Sequence, residues 1–494
     1  MPNKKISFIS GIFTGLCFAP IYFFPGLLGF SSLAYQIYKS HNLKSSLIIG
    51  YFFGLGLFLT SLYWISFSIF VYIEEFWWAF PLALFGIPCL LAIFPALFSG
   101  IMFYLRHNSY YQLFFCTFWV FMEWVLCWIF SGFPWAIIGY SFAFSDTLSQ
   151  SASLFGVLGL SFIAVYIGTS LYKKNESIML LFISIIILIT MMVYGTYRLK
   201  TYPTEYTNIN IKIVQPSIKQ DSKWTPEIFW NNFNNLITLS KQGNPSDLII
   251  WPESALIIPY NQPLIVPKLQ NLLTGSNSIL ITGCTEEEGV FGQDDYKLFV
   301  SMVAIDEHIK KIFLYNKTHL VPFGEYMPFK NYIPIKKLTY GIIDYTPGKR
   351  NNITIDSLKL NIYPLICYEI IFFNEIITNN QLSDVIIAIT NDSWFGNSSG
   401  PYQHFAISKI RAIEYGLPLI RAANNGISAV IDPLGRVIKK LQLNEINIIE
   451  SKLPQKLSAI TSFSCNGWIN LFTILFIIVL FQWIVFLVKS IFNR

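Results

Sequence analysis

Charged residues are scarce in this chain, and several features that assign a protein to a class are missing. Soluble domains carry roughly 25% charged residues, whereas only 13% of these 494 residues are charged and 53% are hydrophobic. The formal net charge is +6 and no long run of lysine or arginine occurs, so we expect no nucleic-acid partner. The composition instead predicts a protein built largely for lipid, with room for one sizeable water-soluble domain.

Paired cysteines are also lacking. The seven cysteines form no CxxC pair, and their spacing matches no metal-ligand pattern. Four of them lie inside hydrophobic runs, which argues against a disulfide framework: Cys17, Cys89, Cys116 and Cys127. We therefore expect no metal and no cofactor, and we expect these thiols to fill a core or face lipid.

Hydrophobic runs occupy the first 200 residues and the C-terminus. Most reach the roughly 20 residues that a helix needs to cross the hydrocarbon core. The first run follows Lys4 and Lys5 as in a signal peptide, but no small-x-small cleavage site follows it, so we interpret it as a span. In total we predict an α-helical transmembrane bundle of about eight spans: residues 8–24, 26–37, 46–70, 78–105, 112–130, 154–172, 178–197 and 468–488.

Loop charges predict the orientation of these spans, because cytoplasmic loops favour lysine and arginine. Basic residues gather in alternate loops and in the C-terminal tail, whereas Glu74, Glu75 and Asp146 lie in the other loops. Only Arg198 and Lys200 depart from this alternation. They precede a large segment, where the rule is weak. We predict cytoplasmic termini, a transmembrane region at 1–200, an extracytoplasmic domain at 201–466 and a last span within 467–494.

Residues 201–466 alternate short hydrophobic runs with turn signals, which is typical of strands mixed with helices. Helical patterns cover 228–241 and 403–415. Candidate strands are 209–214, 248–251, 279–282, 298–305, 362–366, 385–390 and 428–431. This mixture predicts a layered α/β domain.

One stretch of that domain, residues 365–372, places a thiol at the end of a buried strand. Cys367 follows a hydrophobic run and is followed at once by Tyr368 and Glu369. An α/β fold often presents a nucleophile at such a position. The alternative is a cysteine that only packs, since free cysteine behaves as a small hydrophobe.

Two motifs upstream carry a carboxylate and a cation. Glu253 ends the stretch Trp-Pro-Glu after a hydrophobic run, where an apolar setting suits a carboxylate to general-base work. Lys317 precedes Pro-Phe-Gly-Glu, and an ammonium there can stabilise an oxyanion. Each residue alone is more often exposed and solvated. We interpret His319 and His404 as structural groups.

In order, Trp-Pro-Glu, Lys…Pro-Phe-Gly-Glu and Cys-Tyr-Glu resemble the nitrilase (carbon–nitrogen hydrolase) superfamily, whose members use a Glu–Lys–Cys triad. The spans, together with Asn-Asp-Ser-Trp-Phe-Gly at 391–396 and Arg-Ala-Ala-Asn-Asn-Gly at 421–426, resemble one branch of it, the apolipoprotein N-acyltransferases. The resemblance covers essentially the whole chain. It implies a nitrilase-like α-β-β-α sandwich beside the transmembrane bundle.

The resemblance also implies roles for individual residues. The triad would be Glu253 as general base, Lys317 as oxyanion-stabilising group and Cys367 as nucleophile. Supporting residues would be Glu325 beside the lysine or base, Tyr368 and Glu369 in the pocket, and Trp224 at the lipid entrance.

The implied reaction moves a fatty acyl chain from a phosphatidylethanolamine-like phospholipid, through a cysteine thioester, to a lipoprotein. The acceptor would be the N-terminal α-amine of a diacylglyceryl-cysteine apolipoprotein. The enzyme would be a monomer in the bacterial inner membrane, with its catalytic domain on the periplasmic side. A membrane-tethered amidase or nitrilase, a lipid-binding or transport scaffold, and an inactive relative stay open as alternatives.

Two positions depart from the branch. Val300 precedes Ser301 where the family usually has asparagine, and Leu126 stands where an arginine often follows the glutamate matching Glu123. Glu123 lies within an apolar run, where a carboxylate is costly and by default a functional candidate. The alternative is that it lies near the outer interface or bonds a neighbouring helix.

Overall fold

The computed structural model describes residues 3–173, 177–220, 226–293, 295–330, 343–376 and 383–467, with isolated positions at 332, 337 and between 469 and 480. The described residues form two compact units. The first comprises Met1–Ser66, Trp78–Tyr202 and Ile460–Arg494, and the second comprises Phe67–Trp77 and Pro203–Ala459.

The α-helices of the described residues, numbered along the chain, are α1 (Lys4–Gly15), α2 (Gly29–Tyr38), α3 (Leu43–Leu62), α4 (Phe67–Phe70), α5 (Ile73–Phe76), α6 (Ile87–Leu91), α7 (Ile93–Leu105), α8 (Tyr111–Leu126), α9 (Asp146–Ser149), α10 (Ala152–Gly168), α11 (Ser177–Thr201), α12 (Pro226–Lys241), α13 (Val266–Leu273), α14 (Gly400–Tyr415) and α15 (Ser462–Asn466). All except α4, α5, α12, α13 and α14 belong to the first unit.

Long apolar helices mark the first unit as a membrane part. By length and composition, three stretches of the described chain can cross a membrane: Leu43–Phe70, Ile73–Leu105 and Ser177–Thr201. Helices α8 and α10 are shorter and also apolar. The count of about eight spans stays a prediction, and most of the last one, 468–488, lies outside the described residues.

Glycines allow α1 and α3 to pack closely. A Cβ atom at Gly11 would collide with the carbonyl oxygen of Phe53, and one at Gly56 would collide with that of Phe8. Small residues at such crossings are how helices associate in lipid, where no hydrophobic driving force acts between them. The glycines of these two runs therefore specify a helix contact.

The second unit contains two six-stranded sheets, ordered β12-β1-β2-β3-β4-β5 and β11-β10-β9-β8-β7-β6. The strands are β1 (Tyr206–Gln215), β2 (Leu248–Ile250), β3 (Ile279–Glu288), β4 (Lys297–Ile305), β5 (Lys311–Asn316), β6 (Ile353–Ile355), β7 (Leu360–Ile366), β8 (Val385–Thr390), β9 (Leu419–Ala423), β10 (Ala429–Ile431), β11 (Val437–Lys440) and β12 (Asn447–Pro454).

Alternating side chains place these sheets face to face, because successive strand residues point to opposite faces. Ile211 and Ile213 of β1 enter a core shared with β7, β8 and β9 of the second sheet. Lys212, which lies between them, points toward α12 on the opposite face, and so does Val214. Helix α14 packs on the outer face of the second sheet, beside β9. The layers are therefore α-β-β-α, as predicted.

A short piece from the first part of the sequence completes the second unit. Helix α4 packs with the turn formed by residues 392–396, and α5 packs with α4. The ring of Tyr72 lies 6.3 Å from that of Trp394. Gly396 has a φ of +57°, and a Cβ there would lie 2.7 Å from Cδ1 of Phe67. The second unit is thus assembled from two separate stretches of chain.

Candidate active site

Three strand ends carry the residues of the predicted triad. In the first sheet β3 is parallel to β2, and two antiparallel steps lead on to β5, so β2 and β5 run in the same direction. Glu253 follows β2 and Lys317 follows β5 directly. Cys367 follows β7 directly in the facing sheet. The carboxyl ends of strands are where α/β folds gather reactive groups.

Gly283 on β3 allows the turn that carries Glu253 to pack closely against this strand. The N–H of Trp251 donates to the carbonyl of Ile281 at 2.8 Å, which continues the pairing of β2 with β3 beyond the last strand residue. A Cβ at Gly283 would lie 2.7 Å from the Cα of Glu253, so only glycine fits beneath this turn. Glu253 is buried as a result.

Lys317 joins two carboxylates. Its Nζ lies 2.6 Å from Oε1 of Glu325 and 3.4 Å from Oε1 of Glu253, and all three side chains are buried. Burial alone would lower the pKa of Lys317, but the charges of Glu325 and Glu253 raise it well above its ordinary value. The lysine is therefore a fixed cation, and the structure brings the predicted base, cation and supporting glutamate together.

Cys367 sits in a strained backbone position. Its φ is +51°, in the left-handed region that non-glycine residues seldom adopt, and such strain clusters at functional sites. The side chain is half-buried. Burial and the charge of Glu253 raise the pKa of its thiol, while Lys317 lowers it, with a net rise. The thiol is thus protonated at neutral pH and needs a base, because only the thiolate is a good nucleophile.

Glu369 fixes the turn rather than lining open space. Its Oε1 accepts hydrogen bonds from the Tyr315 hydroxyl at 2.8 Å and from the N–H and hydroxyl of Thr318 at 2.8 and 2.7 Å. Its Oε2 accepts from the N–H of Ile366 at 2.8 Å. The carboxylate therefore ties the residue after Lys317 to the residue before Cys367, which fixes the two reactive segments relative to each other.

The remaining residues singled out in the sequence, Tyr368, His319 and Trp224, differ in their surroundings. Tyr368 is buried, and its ring lies edge-on to Phe372 at 5.1 Å. His319 stacks on Phe372 at 3.6 Å, and its Nδ1 lies 2.8 Å from Glu375. The histidine therefore packs and forms a hydrogen bond. Trp224 lies outside the described residues.

The sequence predicted a structural role for His404 but not the buried polar cluster to which it belongs, which contacts the carbonyl of Cys367. Asp392 lies 2.9 Å from Nδ1 of His404 and 2.7 Å from the guanidinium of Arg421. Burial would raise the pKa of Asp392, but the charge of Arg421 holds it well below its usual range. The available signal was Arg421 itself, since a charged residue inside a fully buried strand needs a partner.

Glu123 has identifiable partners in the first unit. Its Oε1 accepts from the indole N–H of Trp119 at 3.0 Å and from the backbone N–H of Ile138 at 2.9 Å. The second bond fixes the aromatic loop that contains Trp135, whose ring lies 4.4 Å from that of Trp64. The carboxylate thus anchors a loop within its own unit.

This arrangement suits covalent catalysis. A carboxylate beside a thiol can accept its proton, and a fixed ammonium can stabilise an oxyanion. Among the residues that the structure describes, no group of three or more His, Cys, Asp or Glu is placed to hold a metal ion.

Comparisons with known proteins show the family to which the chain belongs. A model of the carbon-nitrogen hydrolase family matches residues 211–460, and one of the apolipoprotein N-acyltransferase N-terminal domain matches residues 10–170. The apolipoprotein N-acyltransferase of Rickettsia prowazekii is 50% identical over 484 residues, covering 97% of each chain. That of Brucella melitensis is 32% identical over 476 residues, covering 91% of this chain and 89% of the relative.

Among solved structures, Nit3 of Saccharomyces cerevisiae, a member of branch 10 of the nitrilase superfamily, has a TM-score of 0.38 at 19% identity, covering 50% of this chain and 90% of that one. The sequence relatives and both family models carry the assignment. This chain therefore belongs to the apolipoprotein N-acyltransferase family, the membrane branch of the nitrilase superfamily.

Proposed function

We propose that this chain moves a fatty acyl group from a membrane phospholipid to the N-terminal α-amine of a diacylglyceryl-cysteine apolipoprotein, with Cys367 as the covalent carrier. One observation carries the proposal: the buried cation Lys317 joins Glu253 and Glu325 beside a thiol that needs a base. A hydrolase would share this chemistry but would not need a membrane part with helices long enough to span.

The first step loads the enzyme. Glu253 accepts the proton of the Cys367 thiol, and the thiolate attacks the carbonyl carbon of a phospholipid ester, forming the C–S bond. The oxyanion is stabilised by Lys317 and by the backbone N–H of Tyr368. When the C–O bond breaks, Glu253 returns the proton to the leaving oxygen. The products are a lysophospholipid and a thioester on Cys367.

The second step unloads it. The neutral α-amine of the apolipoprotein attacks the thioester carbonyl, and Glu253 accepts a proton from the nitrogen as the C–N bond forms. The C–S bond then breaks, and the cysteine sulfur takes the proton back from Glu253. Atoms and charges balance over the cycle, and no cofactor is required.

The finer features of this proposal follow from the loop charges and from the family. The donor is phosphatidylethanolamine-like, and the enzyme acts as a monomer in the bacterial inner membrane. About eight spans hold the catalytic domain on the periplasmic side, with both termini in the cytoplasm. The location suits the chemistry, because neither substrate leaves the bilayer easily.

Trapping the thioester tests the proposal. After incubation with phosphatidylethanolamine, we expect the intact mass of the protein to rise by one acyl chain, located on Cys367 by peptide mapping. Hydroxylamine should remove this mass, because it cleaves thioesters. Adding a diacylglyceryl-cysteine peptide should also remove it, with the acyl chain found on the peptide amine. A folded protein that gains no such mass would contradict the proposed donor.

Replacing Val300 with asparagine tests the departure from the family pattern. The Val300 side chain lies in the core between the sheets, and its carbonyl accepts from the N–H of Lys317 at 2.8 Å. Burying an amide there without a partner costs roughly 1–3 kcal/mol. We therefore expect V300N to lower the midpoint of thermal unfolding without lowering the KM for phospholipid. An unchanged midpoint with a lower KM would instead mean that this position contacts substrate.

A further inference from the structure

Helix α14 holds the segment that follows the nucleophile through three hydrogen bonds to backbone carbonyls. The guanidinium of Arg411 donates to the carbonyl of Ile370 at 3.0 Å, and the hydroxyl of Tyr415 donates to that of Phe373 at 2.7 Å. The third contact joins Nε2 of His404 to the carbonyl oxygen of Cys367 itself, at 3.3 Å. It is the one of the three that touches the peptide linking Cys367 to Tyr368.

The charge network around His404 indicates which ring nitrogen carries the proton. One nitrogen of the Arg421 guanidinium lies 2.7 Å from Oδ2 of Asp392 and 3.0 Å from Nδ1 of His404, and it can donate to both. The Asp392 carboxylate also accepts from the Thr390 hydroxyl at 3.0 Å. With Nδ1 as an acceptor, the single proton of a neutral imidazole lies on Nε2, facing the carbonyl of Cys367.

The Nε2–H tautomer has one unfavourable contact, because the Nδ1 lone pair then lies 2.9 Å from Oδ1 of Asp392. The other neutral tautomer has two. It would donate from Nδ1 to Asp392 at 2.9 Å, but it would set an N–H of Arg421 against an N–H of the ring. It would also leave Nε2 facing the Cys367 carbonyl without a proton. Burial and the charge of Arg421 lower the pKa of His404, which disfavours the doubly protonated ring.

Peptide geometry carries the effect of this contact to the reacting atoms. In a trans peptide the C=O and the N–H point in opposite directions in one plane. A donor at the Cys367 oxygen therefore orients the N–H of Tyr368 and polarises it, since linked hydrogen bonds strengthen one another. That N–H is the second oxyanion donor in the proposed mechanism, and its peptide follows a residue with a strained φ of +51°.

We infer that His404 is a positioning residue, which holds the Cys367–Tyr368 peptide so that the N–H of Tyr368 faces the oxyanion. This inference rests on the proposed covalent role of Cys367. Arg421 and Asp392 fix the imidazole, and the glycine of the 421–426 motif makes room for them. A Cβ at Gly426 would collide with Oδ2 of Asp392, so the motif and the histidine form one unit.

Two amide substitutions of His404 test its two ring nitrogens one at a time. The amide of asparagine reaches about as far as Nδ1, so H404N keeps a group beside Arg421 and loses the donor to the Cys367 carbonyl. The amide of glutamine reaches about as far as Nε2, so H404Q keeps that donor. We expect H404N to slow acylation of Cys367 by about tenfold or more, since loss of a whole oxyanion donor costs about 100- to 1,000-fold. H404Q should recover most of the rate.

The measurement uses the full chain in detergent and two acyl donors, phosphatidylethanolamine and p-nitrophenyl acetate. The small ester needs the same oxyanion contacts but no lipid site. Thiol reactivity is followed separately with iodoacetamide, whose reaction with Cys367 forms no oxyanion, and thermal unfolding is recorded for each variant. Tyr415→Phe is the matched control, because it removes a donor from α14 to the same segment but not from the 367–368 peptide. It should acylate like the wild type.

The outcomes are distinct. Slow acylation by H404N at an unchanged iodoacetamide rate, with recovery in H404Q, supports the inference. Equal rates in H404N and wild type overturn it, and so does an equal loss in acylation and alkylation, which would mean that the sulfur itself had moved. Equal losses in H404N and H404Q, following their unfolding midpoints, would reduce His404 to a packing group. A wild-type chain acylated by the small ester but not by phospholipid would contradict the proposed donor and leave this comparison intact. Reaction with neither ester overturns both.

Discussion

Cys367→Ser is expected to abolish acyl transfer, with a fall of roughly 10⁴-fold or more, as when a nucleophile is removed from other covalent enzymes. Serine preserves the size of the side chain, so the strained turn and the contacts of Glu369 should survive. A hydroxyl is much harder to deprotonate than a thiol, and the burial that already raises the pKa of Cys367 would oppose an alkoxide still more. No hydroxylamine-labile mass should form on incubation with phospholipid.

Cys284→Ala provides the matched control for that experiment. Cys284 is a buried cysteine of the second unit, on β3, and it packs in the core under α12 and α13. It should retain the acyl adduct and near-normal turnover, with at most a modest loss of stability. Normal acyl transfer by C367S would remove Cys367 as the nucleophile, whatever the control does.

Glu253→Gln should lower the rate of thioester formation by about 10²–10⁴-fold, the usual contribution of a general base. The same substitution should make the Cys367 thiol more reactive toward alkylation, not less. The charge of Glu253 raises the pKa of Cys367, so removing the carboxylate should lower that pKa, while burial and Asp392 continue to oppose the effect of Lys317. A lower pKa means more thiolate at a given pH, so alkylation by iodoacetamide should be at least as fast as in wild type.

Measuring both rates on one variant separates a base from a structural group. Glu286→Gln is the control, because this half-buried glutamate on β3 lies beside Cys284 and not beside Lys317. If E253Q lost acylation and alkylation together, the carboxylate would be holding the sulfur in place rather than accepting its proton. An unchanged acylation burst would exclude Glu253 as the base.

The sequence predicted seven of the twelve strands in the described residues, chiefly those that contain a continuous apolar run. All seven candidate strands overlap observed ones, and β8 was predicted to the residue because 385–389 is continuously apolar and the whole strand is buried. Strand β9 was missed because Arg421 interrupts its short run, although the structure pairs that charge with Asp392. Strand β12 was missed because its exposed positions are polar, as at an edge of a sheet.

The residues of the site were likewise predictable only in part. Motif order and the family resemblance it carries pointed to Glu253, Lys317 and Cys367, and two of these residues follow predicted strands. The contacts of Glu369 and His404 could not be read this way. Glu369 acts on residues some 50 positions away along the chain, and His404 on one 37 positions away. Such roles depend on which strand ends meet in three dimensions.

The contribution of Phe67–Trp77 to the second unit limits how this unit can be cut out or recombined between relatives. A fragment cut at residue 203 would leave the 392–396 turn without the aromatic groups that cover it, including Phe67 at Gly396. The catalytic half is therefore not a portable module with one boundary. A chimera between two relatives, whether made by recombination or in the laboratory, should keep a matched surface only when it carries both stretches from the same parent.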